Sequence, residues 1–124
     1  MDANEKLLRI EKLCMDAARR GELRSYDDAC ACSGLSLGVD ADFHAMIHFL
    51  EIISTQDYKQ GLGMITAVVV NKIKETGELT EPGPGFYRLA RKLHHSQAPP
   101  RDDAAEYLFW EAELKRVWEI WKDR

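Results

Sequence analysis

Cys30 and Cys32, one residue apart, stand upstream of His44 and His48, which are four residues apart. Thiolates and imidazoles are the ligands zinc prefers, and two histidines one helical turn apart share a face. Within a helix, however, a C-x-C pair sends its sulfurs to nearly opposite sides, and closed zinc sites normally space their cysteines more widely. The four residues therefore read as structural, the cysteines as small buried apolar side chains, and no metal is expected. His94 and His95 end a helical stretch beside Arg91 and Lys92. Imidazolium there would meet the negative end of the helix dipole or an anion, and the C-terminal cap is the preferred reading. Nucleophiles are equally sparse: Ser25, Ser33, Ser36, Ser54 and Ser96 lack a G-x-S-x-G frame, and Cys14 lies on the apolar face of a helix. The carboxylates are numerous, but no pair is marked as facing across a cleft. No catalytic signature emerges and no cofactor is expected.

Two further features carry chemistry weakly. Pro82-Gly83-Pro84-Gly85-Phe86 places two glycines before a helix, where amides can hold a phosphate, but the Lys-Ser/Thr ending of a P-loop and the βαβ setting of a dinucleotide turn are both missing. A sharp bend that docks Phe86 into the core accounts for it. Trp110, Trp118 and Trp121 follow one helix face and read as core rather than a base-stacking platform, with Trp121 expected to be partly exposed.

The elements that must position these residues are legible in outline. Leu7, Ile10, Leu13, Cys14 and Ala17 recur at helical steps after an Asp2 or Asn4 cap and stop at Gly21. Ser25 with Asp28 resembles a capping box for a short helix that Gly34 ends. Asp40 is the expected cap of a third helix running to about Tyr58, with Phe43, Met46, Ile47, Leu50 and Ile53 or Ser54 on one face. Gly63 precedes the run Met64 to Val70, whose unbroken apolarity predicts a strand covered on both sides. Ile73 to Glu81 is polar, a β-ribbon or irregular loop turning at Gly77. Phe86, Leu89, Ala90 and Leu93 mark a fourth helix, and Tyr107, Trp110, Leu114, Val117, Trp118 and Trp121 a fifth, capped by Asp102 or Asp103.

With 124 residues, 45% of them hydrophobic and 31% charged, the chain has the composition of one ordinary globular domain with enough core to fold without disulfides. Three parts are expected within it: a three-helix part over 1–58, strand and ribbon over 62–81, and two helices over 82–124. No run is long enough to span a bilayer and the first residues are charged, unlike a secretory leader, so a cytoplasmic protein with reduced cysteines and no membrane contact is expected.

The net charge of -4 is unevenly spread. Residues 26–57 hold Asp27, Asp28, Asp40, Asp42, Glu51 and Asp57 without one Lys or Arg. Residues 58–100 have a cationic excess from Lys59, Lys72, Lys74, Arg88, Arg91 and Lys92. The order of elements is α+β, mostly helical, with about five helices and a small β-ribbon, a winged-helix-like outline. Its third helix would be the DNA-reading one, yet a helix entering the major groove needs cations for phosphates and guanines, and this one has none before Lys59. A better nucleic-acid surface is Lys72, Lys74, Arg88, Arg91, Lys92 and His95, extended by Arg19, Arg20 and Arg24.

Several motifs also form a recognisable series: Tyr26 with Gly34-Leu35, then Gly63-Met64-Ile65-Thr66-Ala67-Val68-Val69-Val70, then Pro82 to Phe86 with Leu89-Ala90, and Phe109-Trp110 through Trp121. Over residues 26–121 the chain resembles a family of small, widespread bacterial proteins of unknown function. The resemblance implies a bacterial or phage origin and brings no chemistry. The segment Ile73 to Glu81 is longer than the family pattern, which marks it for a contact particular to this chain. These readings converge on a non-enzymatic macromolecule-binding domain that contacts a protein partner. The alternative is a winged-helix-like nucleic-acid-associated regulator using the basic 59–95 segment, and a small hydrolase or transferase would require a pocket gathering His44 or His48 with carboxylates.

Overall fold

A computed structural model describes residues 1–124. The chain is mostly helical, with five α-helices and a two-stranded sheet, in the order α1 (Ala3–Arg20), β1 (Arg24–Ser25), α2 (Tyr26–Ser33), α3 (Asp40–Lys59), a 3-10 turn (Ile65–Val68), β2 (Val69–Val70), α4 (Pro84–Lys92) and α5 (Asp103–Trp121). The sheet departs from the expected outline: a strand, β1, stands between the first two helices where none is expected, and β1 and β2 pair in parallel, Arg24 with Val69 and Ser25 with Val70. No helix is long and apolar enough to cross a membrane.

Local chemistry fixes most helix ends. The Asp2 carboxylate accepts from the Glu5 N–H at the start of α1, and Gly21 ends it with φ 64°. At α2 the capping box is complete: Ser25 Oγ accepts from the Asp28 N–H, and Asp28 accepts from the Ser25 N–H. Asp102 caps α5 through the Ala105 N–H. Asp40 does not cap α3; Val39 holds that position, Asp40 is the first helical residue, and Asp42 reaches back to accept from the Ser36 N–H at 2.9 Å. Helix α4 ends in a Schellman arrangement built by backbone alone, with His94 at φ 54°, its N–H on the Arg91 carbonyl, and the His95 N–H on the Ala90 carbonyl.

Met64 to Val70 is fully buried as expected, but only its last two residues form a strand. A short apolar run with no polar neighbour cannot distinguish strand from tight helix by its pattern. Here the left-handed Gly63, φ 77°, turns the chain into a 3-10 coil that packs against α1, α3 and α5. The Trp110 indole donates to the Ala67 carbonyl at 2.8 Å, so α5 holds the coil directly. Ser54 on α3 is hydrogen-bonded to Thr66 from the other side. The polar segment is a ribbon: Lys72 bridges Leu79 in antiparallel fashion, and the Asn71 N–H meets the Glu81 carbonyl.

The core draws Ile10, Cys14, Met46, Ile53, Val68 and Val117 from these different elements. Trp121 belongs to it and is not partly exposed; the guanidinium groups of Arg19 and Arg124 lie 5.6 and 5.1 Å from its ring centre and cover it. Trp118 is the half-buried indole, donating to the Glu22 carbonyl.

Candidate functional site

The principal depression is a cleft of 430 Å³ between α3 and α4. Its apolar lining comes from Ile47 and Leu50 on α3, Val69 on β2, and Phe86 and Leu89 on α4, with Phe43 at the rim. Phe43 is 39% exposed, a large ring left in water beside an apolar hollow. Tyr26, His44, Glu51, Asn71 and Arg88 add polar groups. The α4 wall is set by the Pro-Gly element. Proline at the first helical position has the φ the helix needs, and the Gly83 N–H donates to the Tyr26 hydroxyl at 2.7 Å. Burial pushes the Tyr26 phenol up, against the lowering effect of that N–H, so the group stays protonated and its hydrogen has no protein acceptor. The bend does bury Phe86, which packs on Tyr87 and Phe109. It offers little to an anion, because Pro84 has no N–H and that of Gly83 is already used.

The cleft brings His44 and Glu51 together on one helix face, but they are seven residues apart and not hydrogen-bonded, and Arg88 opposite is in no ion pair. It therefore contains polar groups without a linked nucleophile and base. Two shallower hollows continue it. One shares Tyr26, Phe43 and Asn71 and extends to Leu37; the other shares Glu51 and Leu89 and extends to Lys59, Lys92 and Leu93.

The expected basic surface is not one patch. Lys72 is paired with Asp27 at 2.7 Å, and Arg91 is held by Glu106 and by the Pro99 carbonyl, both at 3.1 Å. Lys74 is exposed on the ribbon, while Arg88 and Lys92 line the cleft and its extension. His95 is buried and cannot serve as a surface contact. Nor do the cysteines and histidines converge: Cys30 lies 3.4 Å from Met46 Sδ, Cys32 faces the Ala29 carbonyl, His44 lines the cleft and His48 is exposed on α3. Burial pushes both thiols up, which suits inert packing rather than thiolate chemistry.

A second polar centre lies inside the protein. His95 Nδ1 accepts from the Gln97 N–H at 3.0 Å, which leaves Nε2 as the donor to Glu113 Oε1 at 3.1 Å. The other carboxylate oxygen accepts from the Met64 N–H at 2.8 Å. Tyr58 stacks on the imidazole and Phe109 meets it edge-on. The sequence reading passed over Glu113, although its position three residues after Trp110 and four before Val117 places a lone carboxylate on the apolar face of α5. That anomaly was the available signal.

Comparison with models of protein families, with curated proteins and with solved structures finds no match. The family resemblance thus rests on the motifs alone.

Proposed function

We propose that the chain is a non-enzymatic binding domain that holds a segment of a protein partner in the α3–α4 cleft. The observation that carries this reading is the cleft itself: an apolar hollow of 430 Å³ with exposed Phe43 at its rim and with His44, Glu51 and Arg88 in no ion pair within the fold. Pockets of this kind bind through apolar anchors and use a few polar groups for orientation. Leu37, Val39 and Ile73 are further exposed apolar side chains, and Leu37 lines the adjoining hollow with Phe43. Nucleic acid is the weaker alternative, because the surface expected to meet it is depleted by the Lys72–Asp27 and Arg91–Glu106 pairs and by the burial of His95.

The test is co-purification from the native host with and without nuclease, using the natural chain, Ile47→Glu and Lys74→Glu. A protein partner that survives nuclease, is lost with Ile47→Glu and is kept with Lys74→Glu supports the proposal. A partner that leaves with nuclease, or that ignores Ile47→Glu, overturns it.

A further inference from the structure

Two glycines face the cleft from the head of α4, and the backbone requires neither of them. Gly83 has φ -72°, and Gly85 is likewise outside the left-handed region that Gly21, Gly34 and Gly63 occupy. What side chains at these two positions would cover is polar. A β-carbon on Gly83 would lie 3.5 Å from the Tyr26 hydroxyl oxygen, and one on Gly85 would lie 3.7 Å from Arg88 Nη2. Both are ordinary contact distances, so the glycines relieve no clash. All four residues line the same hollow, and the missing side chains leave a phenol and a guanidinium open to whatever enters it.

The capacity left at those two groups is of one kind. The Tyr26 oxygen accepts from the Gly83 N–H and keeps its own hydrogen free, while Arg88 can only donate and is in no ion pair. These donors are side chains, so the shortage of amides in the bend does not weaken them. Two free donors, one of them cationic, beside Ile47, Leu50 and Phe86 call for an anionic acceptor joined to an apolar body. Glu51 does not supply it. That carboxylate stands toward the hollow shared with Lys59 and Lys92, whereas Tyr26 belongs to the hollow on the other side, with Phe43 and Asn71.

Resting on the reading above, we infer that the partner's segment carries an aspartate or glutamate beside a large apolar residue, the carboxylate taking the Tyr26 O–H and the Arg88 guanidinium while the apolar side chain fills the hollow over Ile47 and Phe86. The cleft runs into a further hollow at each end, so a chain passes through it and the carboxylate belongs to a side chain rather than to a chain end.

Selection on the full chain tests this, using short random segments displayed as internal inserts and, in parallel, with free C-termini. The enriched internal segments are expected to share an acidic residue next to a large apolar one. Replacing that residue by its amide should weaken binding about tenfold in fluorescence anisotropy, as loss of a charge-assisted hydrogen bond would. Against Arg88→Gln, an exposed position whose change leaves the fold intact, the same replacement should cost much less. Rising salt should shrink the difference. Gly85→Ala should weaken the acidic segments alone, with a melting temperature unchanged or raised, since alanine suits a helix better than glycine. Enriched segments without an acid, an amide that binds as well, equal losses on the natural chain and Arg88→Gln, binding only through a free C-terminal carboxylate, or no enrichment at all overturns the inference. A lower melting temperature in Gly85→Ala does the same, by making that glycine a requirement of the fold. The nuclease-resistant capture lost in Ile47→Glu separately decides whether the cleft holds protein: where that capture stands and no acidic preference appears, this inference alone fails.

Discussion

The buried centre around Glu113 and the cleft between α3 and α4 use similar residue types in opposite ways. In the first, a histidine, a carboxylate and a backbone N–H satisfy one another, and almost no surface is left to a visitor. In the second, a histidine, a carboxylate, a phenol and a guanidinium surround an apolar hollow with no bond between the charged groups. Buried polar groups are as a rule paired, and the first arrangement has the paired form of a structural network. One that remains at the surface keeps its hydrogen-bonding capacity, which is why the proposed binding function is placed in the second.

Removing a partner should therefore hurt the first region far more than the second. Glu113→Ala leaves the Met64 N–H and the His95 N–H without an acceptor inside the protein. We expect a loss of about 4 kcal/mol in urea denaturation, about 2 kcal/mol for each of the two buried donors left unsatisfied. Gly63→Ala disturbs the same place through the backbone, because φ is 77° and the added carbon would lie 3.1 Å from Val117 Cγ2. A cost of about 2 kcal/mol is expected, against about 1 kcal/mol for Gly21→Ala, which has the same hand of φ but open space around it.

Asp57 sharpens the contrast from a third position: one of its carboxylate oxygens is buried with no partner at all. Burial, assisted by Glu11 and opposed by Arg124, pushes its carboxyl up to about 6 from 3.8. The folded state thus prefers the protonated acid, and stability falls as pH rises through this interval. Asp57→Asn should add about 1 kcal/mol at pH 7 after allowance for solvent screening, and nothing below pH 3.8. Thermal melts of both chains across this range check the sign. The smallest stability effect belongs to the cleft. Phe43→Ser and Arg88→Ala should each change stability by less than about 0.5 kcal/mol, while Phe43→Ser lowers affinity for the captured protein partner about tenfold. A stability loss comparable to that of Glu113→Ala would mean the cleft is structural after all.

What could be read in advance follows the range of the interactions involved. The Ser25–Asp28 box and the Gly21 and Gly34 stops are local and form where their residues predict, whereas on α5 Trp110, Leu114, Val117 and Trp121 are buried as their spacing predicts but Tyr107 is exposed and Phe109 is buried instead. The Met64–Val70 segment was legible as buried but not as a 3-10 coil, since its shape is imposed by Gly63 and by the indole of Trp110 from α5. Cations at Lys72 and Arg91 looked available because their acidic partners, Asp27 and Glu106, are remote in sequence. The cleft gathers side chains from α2, α3, β2 and α4, with Asn71 at the ribbon, and no spacing along the chain announces such a meeting. His95 was misplaced for a related reason: the Schellman turn takes over the end of α4 and swings the imidazole inward toward a helix that begins eight residues later.

Ser25 occupies two roles at one position, as the β1 residue paired with Val70 and as the cap of α2. Its neighbour Tyr26 then carries the hydroxyl that fastens Gly83 at the head of α4. The α4 wall of the cleft is thereby tethered, through two consecutive residues, to a sheet of two residue pairs. Moving the head of α4 outward would have to break the phenol hydrogen bond or pull on that pair of strands.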